Sequence, residues 1–298
     1  MRATVRYAPV ELAELFRREL SRAARRLLEA DARLARGPGP SAVHDARVAL
    51  TRARALLRTF RSLLEPAALR CARPELAWVD ALLAPVRDLD VVAARLLEHA
   101  APGPGGRPRP LDAALTAALA ADRAAELSCL GSARSSGRYT LALSLVDAWG
   151  DDPPLRPRAA REARDLLPPL LTRAHQELAT ARRSARRRPD GPTLHALRVR
   201  ARTLRYATEL SVPAFGEPAA RLAKSCERLQ DHLGRREDVE AASRWLESRA
   251  ARADALGAAC ARLADEERAL AGRLSPGWRP AARGAERSFE RLARSWTS

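Results

Sequence analysis

Apolar residues recur three and four positions apart through most of the chain, the spacing that builds one buried stripe on an α-helix. This pattern predicts helices near 9–36, 41–64, 67–84, 88–100, 110–134 and 138–149. A second series follows near 157–188, 193–211, 217–234, 237–255, 257–273 and 280–296. No segment alternates apolar and polar residues as a half-buried strand would. Proline and glycine punctuate the runs. APGPGGRPRP (101–110) reads as a surface loop, and GDDPPLRPR (150–158) as a joint between two halves. The expected fold class is all-α.

The pattern also repeats. Leu20, Arg22, Ala23, Leu27 and Ala30 match Leu171, Arg173, Ala174, Leu178 and Ala181 at an offset of 151 residues. At the same offset His44, Arg47 and Val48 match His195, Arg198 and Val199. An aspartate landmark follows each motif, Asp88 in RDLDVV and Asp238 in RREDVEAA. The chain is therefore expected to be one domain over 1–298, made of two similar antiparallel helical halves (1–152 and 153–298). The two would be similar helical bundles packed about a pseudo-two-fold axis.

Charge changes this picture at two helices. In HDARVALTRARALLRTF (44–60), His44, Arg47, Arg54 and Arg58 share one line of the helix. In HALRVRARTLRYATEL (195–210), His195, Arg198, Arg202 and Arg205 do the same. Each set spans an arc of about 80° at 100° per residue. A solvated face would lie opposite the apolar stripe. Here Val43, Leu50 and Leu57 flank the first line on one side, and Val48 and Ala55 on the other. Leu194, Ala201 and Leu204 flank the second line, opposite Val199, Tyr206 and Leu210. A cationic rail between apolar flanks belongs in a groove between packed helices. Carboxylates such as Asp88, Asp90, Glu209 and Asp238 are available to pair with part of it. Ser41 and Thr193 stand where N-caps would, which places both histidines in the first helical turn. His99, His175 and His232 show no paired arrangement.

The chain has 53 Lys and Arg against 36 Asp and Glu, a formal net charge of +17, and a single lysine, Lys224. A GC-rich genome explains arginine in place of lysine but not the surplus, which implies an anionic partner. The four cysteines, Cys71, Cys129, Cys226 and Cys260, are scattered without a metal or disulfide pattern. With no apolar run long enough to span a bilayer and no signal-like N-terminus, a cytoplasmic protein without a membrane partner is expected.

H-x-x-R-V-x-x-x-R-x-R in the first half, H-x-x-R-V-x-x-R-x-x-R-Y in the second, and the trailing RDLDV and LGRREDV segments resemble the CHAD domain, the histidine-containing α-helical domain. The resemblance covers nearly the whole chain. It implies two four-helix-bundle halves and a basic channel that binds inorganic polyphosphate. Such domains are often fused to a triphosphate-hydrolysing CYTH domain, whose E-x-E-x-K motif is absent here, so the chain resembles a stand-alone member. It departs from the pattern at Thr51, where a basic residue is expected, and at Ala84, where the second half has Gly234.

No nucleotide-binding G-x-x-x-x-G-K loop and no cysteine–histidine metal cluster occurs, so neither catalysis nor a cofactor or metal is expected. The RDLD acids, Asp88 and Asp90, are better suited to capping a helix start and holding arginines than to binding Mg²⁺. The leading expectation is non-catalytic binding of inorganic polyphosphate, with attachment to polyphosphate granules as its cellular use. His44, Arg47, Arg52, Arg54 and Arg58 would serve in the first half, and His195, Arg198, Arg202 and Arg205 in the second. Arg22 and Arg173 are outlying members on the preceding helices. Two other classes stay open. One is a nucleic-acid backbone binder, disfavoured by an aromatic content of only 4%. The other is a basic helical scaffold or adaptor.

Overall fold

The structure is a computed structural model that describes residues 9–100, 113–251, 255–274 and 276–296. The expected 101–110 loop lies outside the described residues. Ten α-helices account for most of what is described: α1 (Leu12–Arg36), α2 (Pro40–Thr59), α3 (Pro66–Ala100), α4 (Ala113–Arg134), α5 (Gly137–Asp151), α6 (Ala163–Arg187), α7 (Gly191–Phe215), α8 (Glu217–Ala250), α9 (Ala255–Leu274) and α10 (Trp278–Arg294). Among the described residues the only β-type pairings are two isolated bridges, Glu11 with Glu162 and Leu64 with Leu155. The fold is all-α, as the periodicity predicts.

The starts of α1, α2 and α3 at residues 12, 40 and 66 recur at 163, 191 and 217. Each pair is therefore separated by the same 151 residues as the two histidine motifs. Counterparts also touch, with α2 packed on α7 and α3 on α8. Where α1 and α6 begin, Glu11 bridges Glu162, its own counterpart. The 150–158 joint is tied down: Arg156 N–H donates to the Leu63 carbonyl at 2.8 Å, and Glu65 N–H to Pro154 at 2.9 Å.

Two boundaries differ from the sequence expectation. α3 runs unbroken through Pro74 and Pro85, and α8 runs unbroken through Gly234. An internal proline removes one backbone hydrogen bond and usually bends a helix. Here Leu76, Val79, Leu83, Val86, Val92 and Leu96 are all buried, so the apolar stripe crosses Pro85 without interruption. Packing outweighs the local penalty. In α8 the buried Leu222, Cys226, Leu229, Leu233, Val239, Ala242 and Leu246 do the same. At ~1.5 Å per residue each helix is about 50 Å long. Asp88 and Asp90 consequently sit in mid-helix and cap nothing.

The caps differ too. Asp190 is the N-cap of α7, accepting from the Thr193 N–H at 3.0 Å, and Gly39 precedes Pro40 at the start of α2. Ser41 lies inside the first turn of α2.

One apolar core joins both halves, from Leu12, Phe16 and Phe60 through Leu204 and Leu222 to Phe289. A second, smaller core lies at the far ends of the long helices. There Leu89, Val92 and Leu96 of α3 meet Leu115 and Leu119 of α4, Leu246 of α8, and Leu256 and Cys260 of α9. Cys226 and Cys260 are buried, whereas Cys71 and Cys129 are exposed. Among the described residues no helix is long and apolar enough to cross a membrane.

Candidate functional site

The two histidine helices, α2 and α7, pack against each other, while α3 and α8 run alongside and supply acids. Arg47 of α2 lies 3.6 Å from both Asp80 and Asp88 of α3. Arg54, about two turns further along α2, also pairs with Asp80. In the second half Glu237 of α8 accepts from His195 Nδ1 at 2.6 Å with one oxygen. Its other oxygen lies 2.6 Å from Arg198 Nη1. Gly234 leaves room beside it: a Cβ there would touch the Arg198 guanidinium at 3.5 Å. Arg205 pairs with Glu209 and Glu227, both at 2.7 Å. The rail is thus interlocked with carboxylates. The principal partners are Asp80 and Glu237, which the sequence does not single out. Asp90, an expected partner, instead accepts from Arg123 of α4 at 2.7 Å, away from the rail.

Two rail arginines stand apart from this neutralisation. Arg202 of α7 has no carboxylate within ion-pair reach among the described residues. Burial, the neighbouring Arg198 and then Arg47 outweigh Tyr206 and Glu237, so its guanidinium is pushed down to about 10. Arg58, near the end of α2, also lacks an ion pair among the described residues. Its guanidinium is lowered by burial, then by Arg200, Arg54 and Arg73. Such crowding of half-buried like charge is unfavourable unless an anion enters.

Around His195 the surface forms a depression of about 290 Å³, lined by Arg198, Arg236, Glu237, Glu240 and Arg244. The Nε atoms of Arg198 and Arg236 are buried there with no hydrogen-bond partner among the described residues. His44, at the matching place in the first half, is solvent-exposed. Its imidazole is lowered by burial of part of the ring, then by Arg87 and Arg47, with Asp45 opposing. Asp238 is raised by burial, with Glu237 adding to the rise and Arg198, Arg87 and Arg95 opposing it.

Arg52, which sequence reading groups with the rail, points elsewhere. It donates to Glu19 at 2.9 Å and to Glu209, and its guanidinium lies 4.5 Å from the centre of the Tyr206 ring. Its side chain is only 13% exposed, so it is a clamp between halves. Arg22 supports the same acid, donating to Glu19 at 2.6 Å, and Arg173 lies out on the surface near Glu177. Of the remaining histidines, His99 contacts the buried Glu267 at 2.5 Å and His175 stacks on Phe289. Both belong to packing.

Fold and site together define a class: a duplicated-looking helical protein whose two central helices line up arginines at their contact. A family model for the CHAD domain matches residues 18–247, and the chain belongs to that family. Among solved structures, the chain is similar to the CHAD domain from the plant Ricinus communis. That match has 21% identity, covers 95% of each chain and has a TM-score of 0.73. It is also similar to PptA from Streptomyces chartreusis, with 23% identity over 97% of this chain and 100% of the other, and a TM-score of 0.64. At these identities the likeness is one of fold. No curated protein matches by sequence.

Proposed function

We propose that this protein binds inorganic polyphosphate along the α2–α7 contact and does not turn it over. The observation that carries the reading is Arg202, an enclosed guanidinium flanked by Arg47 and Arg198 and left without a carboxylate among the described residues. An anionic chain laid there gives Arg202 its counter-charge. It also meets the buried donors of Arg198 and Arg236. Polyphosphate suits the site because it presents charge at every unit and no base to read. Guanidinium groups grip phosphate oxygens in a bidentate way. His44 and His195 mark the helix-start ends of the track. Attachment to polyphosphate granules in the cytoplasm is the cellular use we assign to it.

The test is competition. Labelled long-chain polyphosphate is bound at several salt concentrations, then challenged with duplex DNA at equal phosphate content. The reading expects affinity to fall linearly in log–log with salt, through counterion release, while DNA leaves most of the polyphosphate in place. Efficient displacement by DNA would instead identify a general phosphate-backbone binder. Release of orthophosphate during a long incubation would contradict the absence of turnover.

A further inference from the structure

A second depression, of about 360 Å³, opens where α2 meets α3. Four arginines line it, Arg54 and Arg58 from α2 and Arg70 and Arg73 from α3, over an apolar floor that includes Leu57 and Leu76. No carboxylate is in the lining among the described residues. Of the acids nearby, Asp80 neutralises one member of the cluster, Arg54, and the others are turned away. Asp80 holds Arg54 and Arg47 from below, and Glu75 is turned to Arg138 at 2.7 Å. Glu177 on α6 is held by Arg200 at 2.7 Å.

The other half shows what a neutralised version of this place looks like. At the 151-residue offset Arg54, Arg70 and Arg73 correspond to Arg205, Arg221 and Lys224, so all three cations are kept. Arg58 and Leu76, however, correspond to Glu209 and Glu227. Those two glutamates are the partners of Arg205. The second half closes its cationic cluster with its own acids. The first half has an arginine and a leucine there instead; Asp80 pairs with Arg54, and Arg58, Arg70 and Arg73 are left without an ion pair among the described residues.

We propose that the Arg54–Arg58–Arg70–Arg73 depression is a binding site for the terminal phosphoryl groups of oligophosphates, whether a short free anion or the end of a polyphosphate chain. A terminal phosphoryl carries close to two charges at neutral pH and three outward oxygens, an interior one a single charge. Four converging guanidiniums match the terminal group better. The volume lies at the lower end of the range for small-molecule sites, ~300–1,000 Å³, and fits a short run of phosphoryl units. The site's ligand class rests on the polyphosphate reading, whereas the site itself rests on the open cationic cluster.

The experiment is calorimetric titration of the full chain with tripolyphosphate, and with long-chain polyphosphate whose ends are either free or esterified. Arg70→Ala/Arg73→Ala removes two surface arginines outside the rail, and circular dichroism melting checks that the fold is kept. Tripolyphosphate is expected to bind the wild type with its tightest site at the depression, and that site is expected to lose roughly tenfold or more in affinity in this variant. Arg198→Ala/Arg202→Ala should lower long-chain affinity while the part of the tripolyphosphate binding that Arg70→Ala/Arg73→Ala removes persists, which separates failure of this site from failure of the rail. Loss of affinity in the Arg70/Arg73 variant for free-ended but not esterified chains assigns the site to chain ends as well as free anions. Equal loss for both chain types, unchanged tripolyphosphate affinity in that variant, or no tripolyphosphate binding by the wild type would each overturn the proposal.

Discussion

Arg52 separates a structural from a ligand-binding role most sharply. Arg52→Met keeps the length of the side chain but removes its charge. Glu19, whose side chain is only 5% exposed, then loses one of its two arginines and keeps Arg22 at 2.6 Å. Glu209 keeps Arg205 at 2.7 Å. Breaking a buried ion pair by removing one partner costs ~3–5 kcal/mol when the remaining charge is orphaned. Neither glutamate is orphaned here, which lowers the expectation to about 2–3 kcal/mol, with the lost contact to the Tyr206 ring included. At ~2–4 °C per kcal/mol for a chain somewhat smaller than this, the melting temperature should fall by roughly 4–10 °C. Differential scanning calorimetry gives the melting shift, and titration below the new transition gives the polyphosphate affinity, which should change by less than about threefold. A melting temperature within about 1 °C of wild type, together with a tenfold loss of affinity, would refute the assignment and return Arg52 to the rail.

Further outcomes follow from other contacts. Gly150 of α5 lies so close to α1 that a Cβ would stand 2.7 Å from the Ala24 Cβ. Gly150→Ala should therefore destabilise by about 1–3 kcal/mol in urea unfolding, and adding Ala24→Gly should restore much of it. Glu237→Gln removes the negative charge between His195 and Arg198, so polyphosphate affinity should rise severalfold, by roughly 1 kcal/mol. A fall would show that Glu237 orients the site rather than competing for it. Asp238 is raised above its usual range in the folded protein, so its stability contribution is full below the unfolded carboxylate range and is lost as pH rises through the folded value. A phosphate beside Asp238 and His44 favours their protonated forms, adding to the rise at Asp238 and opposing the lowering at His44. Binding should therefore take up protons and strengthen as pH falls from neutral, read as buffer-dependent heats in calorimetry.

The apolar spacing was enough to place the helices because a buried stripe writes itself into the sequence at three- and four-residue intervals. It was not enough at Pro85 or Gly234, where a local breaker and a continuing stripe disagreed and burial of Val86 and Leu233 prevailed. That error had a consequence for the site. With α3 and α8 each cut in two, nothing marked Asp80 and Glu237 as residues that run alongside the rail. Which acid neutralises which arginine depends on helix crossings, and those are set by the whole core rather than by any one segment. The ion pairs of Arg52 are hidden in the sequence for the same reason, since its partners Glu19 and Glu209 come from α1 and α7. The open cluster at Arg58 and Arg73 is different. Its key contrast, Arg58 against Glu209 and Leu76 against Glu227, was present in the 151-residue repeat itself. Only the pairing of Arg205 with both glutamates shows what the contrast means.

The central claim is that polyphosphate lies against Arg198 and Arg202. Its most direct measurement is the affinity of the Arg198→Ala/Arg202→Ala variant for free-ended long-chain polyphosphate at fixed salt, with the melting temperature recorded alongside. The account predicts a loss of roughly thirtyfold or more and a shallower salt dependence, because about two phosphate contacts disappear. It also predicts only a small change in melting temperature, since relief of the crowding at Arg202 offsets the lost Arg198–Glu237 pair. An unchanged affinity in a folded variant would contradict it.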